Sequence, residues 1–345
     1  MQFWNELSWR LPRNNSEKMT DKMYSDQRPS QAPPKRRVLV TGAAGYIGSI
    51  LCEHLLDAGY QVTAIDNLIY GQHSLFHLCA NPRFQFVRGD ARDEALMRGM
   101  LAGADVIVPL AALVGAPLCD RDPWLAESVN LEAIRLLNRL RSREQRVVYP
   151  TTNSGYGIQS GSIFCTEETP LEPISLYGRT KVQAERELLD AGGVISLRLA
   201  TVFGMSPRLR LDLLVNDFVH IAVTQGYIVI FEKDFKRNYV HVRDVADCFL
   251  HCLEHLDRMV GQAYNVGLDA ANMSKEELAL KIKEHVPRFE IQFSEVGSDP
   301  DKRNYIVSNQ KLREAGFEAR RSLDEGIAEL LKGYKMLGRA SFRNV

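Results

Sequence analysis

No stretch of this sequence reaches 18 consecutive apolar residues, so a transmembrane helix is not expected. A surplus of charge is missing as well: 43 Lys and Arg balance 43 Asp and Glu. Such a chain has no global field to draw it to nucleic acid or to a membrane surface, and no basic stripe marks a nucleic-acid face. Cysteine pairs at CxxC spacing are absent too. The six cysteines, Cys52, Cys79, Cys119, Cys165, Cys248 and Cys252, are scattered. That is the pattern of reduced thiols in a cytoplasmic protein rather than of a disulfide framework. Cys248, His251, Cys252 and His255 share helical spacing in ADCFLHCLEH, but Phe249, Leu250 and Leu253 lie among them. The stretch therefore reads as a half-buried helix, and no metal site is expected. The first residues lack the apolar centre of a secretory signal. Residues 1–35 are expected to form a polar, proline-containing, flexible extension, with Trp4 and Trp9 as its only strong apolar anchors.

Beyond residue 36 the pattern becomes regular. Short β-branched runs alternate with longer amphipathic stretches. The expected strands are 37–41, 61–66, 84–88, 105–110, 146–151, 194–199 and 227–231. Expected helices include 46–58, 94–102, 123–142 and 177–190. This alternation predicts an α/β, doubly wound parallel sheet (a Rossmann arrangement) with right-handed crossovers. In the last third, 274–285 and 322–337 read as helices separated by polar segments. That region is expected to be a smaller α/β substrate-binding cap over the carboxyl edge of the sheet. The boundaries that follow are 36–205 with 227–262 for dinucleotide binding, and 206–226 with 263–340 for the cap.

The strongest local signal is RVLVTGAAGYIGS. Gly42 permits a tight turn from strand to helix, Gly45 lets the backbone approach a pyrophosphate, and Gly48 allows the helix to pack closely. The free N–H groups and positive end of the helix then face the phosphates. With their neighbours Ala44, Tyr46 and Ile47 they form one wall of a dinucleotide site. The next strand ends in Asp66, beside Asn67. An acid there accepts the ribose hydroxyls and repels a 2′-phosphate, which favours NAD over NADP. Asp90, beside Ala91, ends the third strand and suits either the adenine amino group or a helix N-cap. Leu110, Ala111 and Ala112 end the fourth, where small residues let the chain pass under a cofactor.

Tyr177-Gly-Arg-Thr-Lys181 is a YxxxK motif at the start of a predicted helix, so Tyr177 and Lys181 share one face. An ordinary tyrosine, with a pKa of about 10, is a poor base near neutrality. A lysine cation beside it stabilises the phenolate and makes Tyr177 a usable acid–base.

At this point the chain resembles the NAD-dependent epimerase/dehydratase family of extended short-chain dehydrogenase/reductases. The stretches VTGAAGYIGS, DNLIYG, GDARD, PLAALVGAP, TTNSGYG, YGRTK, LRLATVFG and RNYVHVRDVA carry the resemblance in family order. It implies a soluble NAD enzyme acting on a nucleotide sugar, GDP- or UDP-linked, and often a homodimer. It implies that Tyr177 is the acid–base, that Lys181 binds ribose, and that Thr152 bonds the reacting sugar hydroxyl. Asn130 matches a structural or cofactor-side asparagine, and Arg237 an arginine that grips the substrate diphosphate. Asn153 and Ser154 stand where the 4,6-dehydratases carry an Asp-Glu pair, so dehydration is not expected. Thr201 replaces the usual Asn of 4-epimerases and Ser298 their Arg, with Arg303 a displaced phosphate contact. Asn216 completes the substrate-side set. The stretches LAALVGAPLC, TNSGYG, SPRLRLDLLVNDF and DPDKRNYIVSN are similar to enzymes that oxidise C4 of a GDP-heptose in capsular polysaccharide synthesis. The resemblance thus implies a 4-keto sugar, either released by a dehydrogenase or re-reduced by a 4-epimerase; the remaining reading is a non-catalytic NAD-binding protein.

Overall fold

The computed structural model describes residues 35–158, 164–295 and 304–337. The expected extension at 1–35 therefore falls, but for its last residue, outside the described residues, as do Ser298 and Arg303.

A seven-stranded sheet forms the centre. Its strands are β1 (Arg37–Thr41), β2 (Gln61–Asp66), β3 (Phe84–Arg88), β4 (Val106–Pro109), β5 (Arg146–Thr152), β6 (Val194–Leu199) and β7 (Gln262–Val266). They run in the order β3-β2-β1-β4-β5-β6-β7. Every pairing is parallel, from β1 against β2 in the register Val38 opposite Val62 to β7 against β6 with Tyr264 opposite Leu197. The order reverses between β1 and β4, which places the ligand crevice at their carboxyl ends.

The inner strands β1, β4 and β6 are buried almost throughout because both faces of the sheet are covered there. Val38 and Val40 of β1 point to one face, where they meet the helices Tyr46–Asp57 and Val242–Glu254. Leu39, between them, points to the other and joins Met97, Leu101, Ile134 and Leu188 from the helices of that side. Leu131, Ile134 and Leu137 of the predicted helix 123–142 thus pack onto the sheet. That helix is not continuous: a π-helical turn at Ser128–Glu132 interrupts it.

The sheet differs from expectation at one edge. Tyr227–Phe231 forms a strand but lies in a separate ladder with Glu290–Ser294, and Gln262–Val266 takes the seventh place. Ile228 and Ile230 belong to a second core with Phe218, Val219, Leu278, Ile282, Phe289 and Ile327. That core joins the helices Leu214–Thr224, Lys275–His285 and Leu323–Tyr334. Serine caps start the last two: Ser274 with Glu277 and Ser322 with Glu325 each form a reciprocal capping box. A three-stranded sheet of Thr201–Phe203, Lys236–His241 and Asn272–Ser274 also belongs to this region.

The thiols of Cys248 and Cys252 are fully buried. His251 Nε2 lies 3.0 Å from the Ala315 carbonyl, and its ring stacks on that of His255 with centroids 4.2 Å apart. No helix of the described residues is long and apolar enough to cross a membrane.

Candidate active site

The carboxyl ends of the central strands open into a cleft of about 410 Å³. Gly42, Gly45 and Ile47 form one side, Leu110 and Ala112 the floor, and Thr152, Tyr177 and Lys181 the far end. Another concavity of about 480 Å³ lies at the amino edge of the sheet around Asp105 and Arg146. It contains no part of the glycine turn or the YxxxK motif, and ligands of open α/β sheets bind at the opposite edge.

Two of the three glycines of the turn, Gly42 and Gly48, are sterically closed to any side chain. Gly42 has φ +67°, and a Cβ there would lie 2.5 Å from the Ala111 nitrogen. A Cβ on Gly48 would sit 2.6 Å from the Gly42 and Ala43 carbonyl oxygens, so Gly48 brings the helix onto the turn itself. Asp66 is held in place by N–H donors from Ala44 at 3.0 Å and Leu68 at 2.8 Å. Burial raises its pKa above the ordinary carboxylate value, and these donors and Gln72 work against that rise. Asp90 lies beside Asn67, whose amide donates to it over 3.3 Å, and binds Arg92 through both of its oxygens at 2.8 and 2.9 Å. That guanidinium pushes the Asp90 pKa down to about 2. The helix that follows is capped by Asp93 instead. Ala44, Asp66, Asn67, Asp90, Ala91 and Ala111 sit around the cleft rather than in its wall.

The residues present fit a dinucleotide: a glycine turn that excludes a Cβ at Gly42 and Gly48, a helix N-terminus behind it, and a fixed carboxylate at the end of β2.

At the reacting end, Ser175 caps the helix Leu176–Ala191 by accepting the Gly178 N–H over 3.1 Å. This sets Tyr177 in the first turn and Lys181 one turn on, along the same face. Lys181 is 4% exposed, and its ammonium lies 4.1 Å from the centre of the Tyr149 ring. Burial pushes its pKa down to about 7, against the opposing field of Glu185. Thr152 ends β5; its hydroxyl donates to Ser154 Oγ over 2.9 Å and accepts the Ser154 N–H over 3.1 Å.

Among the substrate-side residues, Ser154, Thr201 and Arg237 line the cleft. Asn153 is fully buried and is not part of that wall. Asn216 is also fully buried; it accepts the Gly204 N–H at 3.0 Å and donates to the Arg210 carbonyl at 2.9 Å. Asn130, on the π-turn, clamps Leu113 by accepting its N–H at 2.8 Å and donating to its carbonyl at 2.9 Å. That bond pair sets the course of the loop after β4; π-turns recur at such functional positions.

Sequence reasoning missed Tyr70, Arg208, Arg210, Asp212 and Asp217, all in the wall. For Arg208, Arg210, Asp212 and Asp217 the alternating charges of SPRLRLDLLVNDF were the available signal. Arg210 and Asp212 are paired bidentately, one edge of the guanidinium donating through Nε and a terminal nitrogen to the two carboxylate oxygens. Burial works against the Arg210 charge, but Asp212 outweighs it and holds that guanidinium above its ordinary range.

Residues 38–267 match the model of the NAD dependent epimerase/dehydratase family, and the chain belongs to that family. It is an enzyme of this class, and its cofactor is NAD. It is 30% identical to the UDP-glucose 4-epimerase of Mycolicibacterium smegmatis, over 87% of this chain and 98% of that protein. It is 29% identical to the low-salt glycan biosynthesis protein Agl12 of Haloferax volcanii, over 86% and 98% of the two chains. Among solved structures, the UDP-glucose 4-epimerase of Thermus thermophilus in complex with NAD superimposes with a TM-score of 0.75 at 24% identity, covering 87% of this chain and 99% of that one.

Proposed function

We propose that the enzyme oxidises the C4 hydroxyl of a nucleotide-linked sugar to a ketone. The carrying observation is the meeting of Thr152, Tyr177 and Lys181 in the same cleft as the glycine turn. NAD, when bound, takes up the hydride that leaves C4. Tyr177 removes the hydroxyl proton, and the Thr152 hydroxyl holds the same oxygen in line. Lys181 places a positive charge beside the phenolate and so lowers the cost of forming it. Arg237, 3% exposed in the cleft wall, suits the substrate diphosphate through its charged fork. The adjacent Asn153 and Ser154 offer neither a carboxylic acid nor a carboxylate, which argues against elimination of water.

The ketone has two fates. If it leaves, the enzyme is a C4 dehydrogenase, and the stretches noted above favour a GDP-heptose-like sugar. If it turns and is reduced from its other face, the enzyme is a 4-epimerase, a reading favoured by the relative named as such. Incubation with GDP- and UDP-linked sugars tests both. Reduced nicotinamide accumulating with a released keto sugar identifies the first, and an epimeric sugar without net reduction identifies the second. If no candidate sugar is oxidised by the NAD-loaded protein, the proposal falls. We further propose a homodimer through the outer faces of residues 123–142 and 177–190, to be read from the solution mass.

A further inference from the structure

Besides Tyr177, two neighbours could support a charge on Lys181, and one of them is already engaged. Glu185, one turn further along the same helix, is 1% exposed. Its Oε1 accepts Arg198 Nε at 3.0 Å and a terminal guanidinium nitrogen at 2.6 Å, and its Oε2 accepts the Ser196 hydroxyl at 2.9 Å. On that side Lys181 faces a neutralised ion pair rather than a bare carboxylate. The other neighbour is Tyr149 of β5. Its side chain lies on the sheet face that the helix Leu176–Ala191 covers, with Ala184 and Leu188, and is fully buried. The side-chain nitrogen of Lys181 stands 4.1 Å from the centre of its ring.

The Tyr149 hydroxyl has no hydrogen-bond partner among the described residues. Burial pushes its pKa well above the ordinary value, and the fields of Tyr177 and Glu185 add to the rise, so the ring stays a neutral aromatic. What it offers Lys181 is its face, which attracts a cation most strongly where water is excluded. We infer that Tyr149 is a positioning residue: its ring holds the Lys181 amine in the charged form beside Tyr177, and so sets how readily Tyr177 gives up its proton. Thr152 ends the same strand, so β5 supports the acid–base as well as supplying the proposed partner of the reacting hydroxyl.

The inference rests on the role of Lys181 in the proposed oxidation, so its first readout needs neither sugar nor NAD. Nuclear magnetic resonance of isotope-labelled lysine reports the titration of Lys181 in cofactor-free protein, assigned by its loss in Lys181→Met. Tyr149→Phe keeps the ring face and removes the unpartnered hydroxyl, and the midpoint is expected to hold. Replacing Tyr149 by tri- and then pentafluorinated phenylalanine keeps the shape while it removes and then reverses the negative face. The midpoint is expected to fall along that series by roughly half to one and a half pH units. Tyr149→Leu should lower it too. A purely structural role would cost stability in Tyr149→Leu and leave the midpoint in place across the fluorinated series; that result overturns the inference. With a sugar that the wild type oxidises, turnover near neutral pH should decline along the same series while KM for the sugar changes little. A midpoint that falls while turnover holds refutes the link to Tyr177. If the wild type oxidises no sugar, the proposed reaction fails, and the titration still decides whether the ring holds the charge.

Discussion

Lys181 lies over the ring of Tyr149, its side-chain nitrogen 4.1 Å from the ring centre, and is buried one helical turn from Tyr177. The aromatic face offsets part of the desolvation of the ammonium, but burial still wins. The site thus holds an amine whose charged form the fold disfavours, an arrangement typical of groups tuned for chemistry.

Tyr177→Phe removes the proton acceptor and leaves the ring. Turnover is expected to fall at least about a hundredfold, the usual scale of general acid–base catalysis. NAD affinity and melting temperature should hold. Thr152→Ala should lower turnover less and leave NAD binding unaffected. A Tyr177→Phe enzyme with near-normal turnover would remove the proposed role.

Lys181 gives a pH signature. Its folded pKa is about 7, whereas an ordinary lysine titrates at about 10.4. Between these values the unfolded chain binds the extra proton, so this group's contribution to stability rises with pH and is lost as pH falls toward about 7. Lys181→Met has no such proton to bury. In cofactor-free protein its stability relative to wild type should grow from about pH 9 down to about pH 7 and then level off. Urea unfolding across that range checks the sign. Activity should be lost in the same variant.

Glu185 and Arg198 form a buried ion pair at 2.6 Å, with side chains 1% and 8% exposed. Glu185 also accepts the Ser196 hydroxyl at 2.9 Å, and Arg198 donates to the Tyr156 hydroxyl at 3.1 Å. Glu185→Gln leaves the guanidinium without its counter-charge. The expected loss is about 3–5 kcal/mol of stability, the cost of orphaning a buried charge, measured by denaturant unfolding. A loss below 1 kcal/mol, roughly the value of an exposed pair, would show the pair to be solvated.

Asn130→Ala removes both hydrogen bonds to Leu113 and leaves a buried N–H and carbonyl unmatched. About 1–3 kcal/mol of stability should be lost. Because the Leu113 loop continues the cofactor cleft floor, NAD affinity should fall too. Calorimetric titration and thermal unfolding of the same samples separate the two effects.

Local order in the sequence determined much of this protein. The apolar periodicity marked β1, β2, β3 and β6 at their observed limits; for β1 and β6 the reason is that strands buried on both faces leave little room for polar residues. The glycine turn, the acid that ends β2 and the YxxxK helix were legible because each depends on neighbours a few residues away. The tertiary structure alone decided pairings between distant segments. Tyr227–Phe231 has the composition of a sheet strand, yet its partner is Glu290–Ser294, and no local pattern names a partner. Gln262–Val266 is short and carries the buried Asn265, whose side chain is satisfied only by remote groups such as the Tyr156 hydroxyl at 2.7 Å. The placing of Arg208 against Tyr70 is of the same kind. It depends on Ser206 and Tyr46, far apart in the chain, which are hydrogen-bonded to each other.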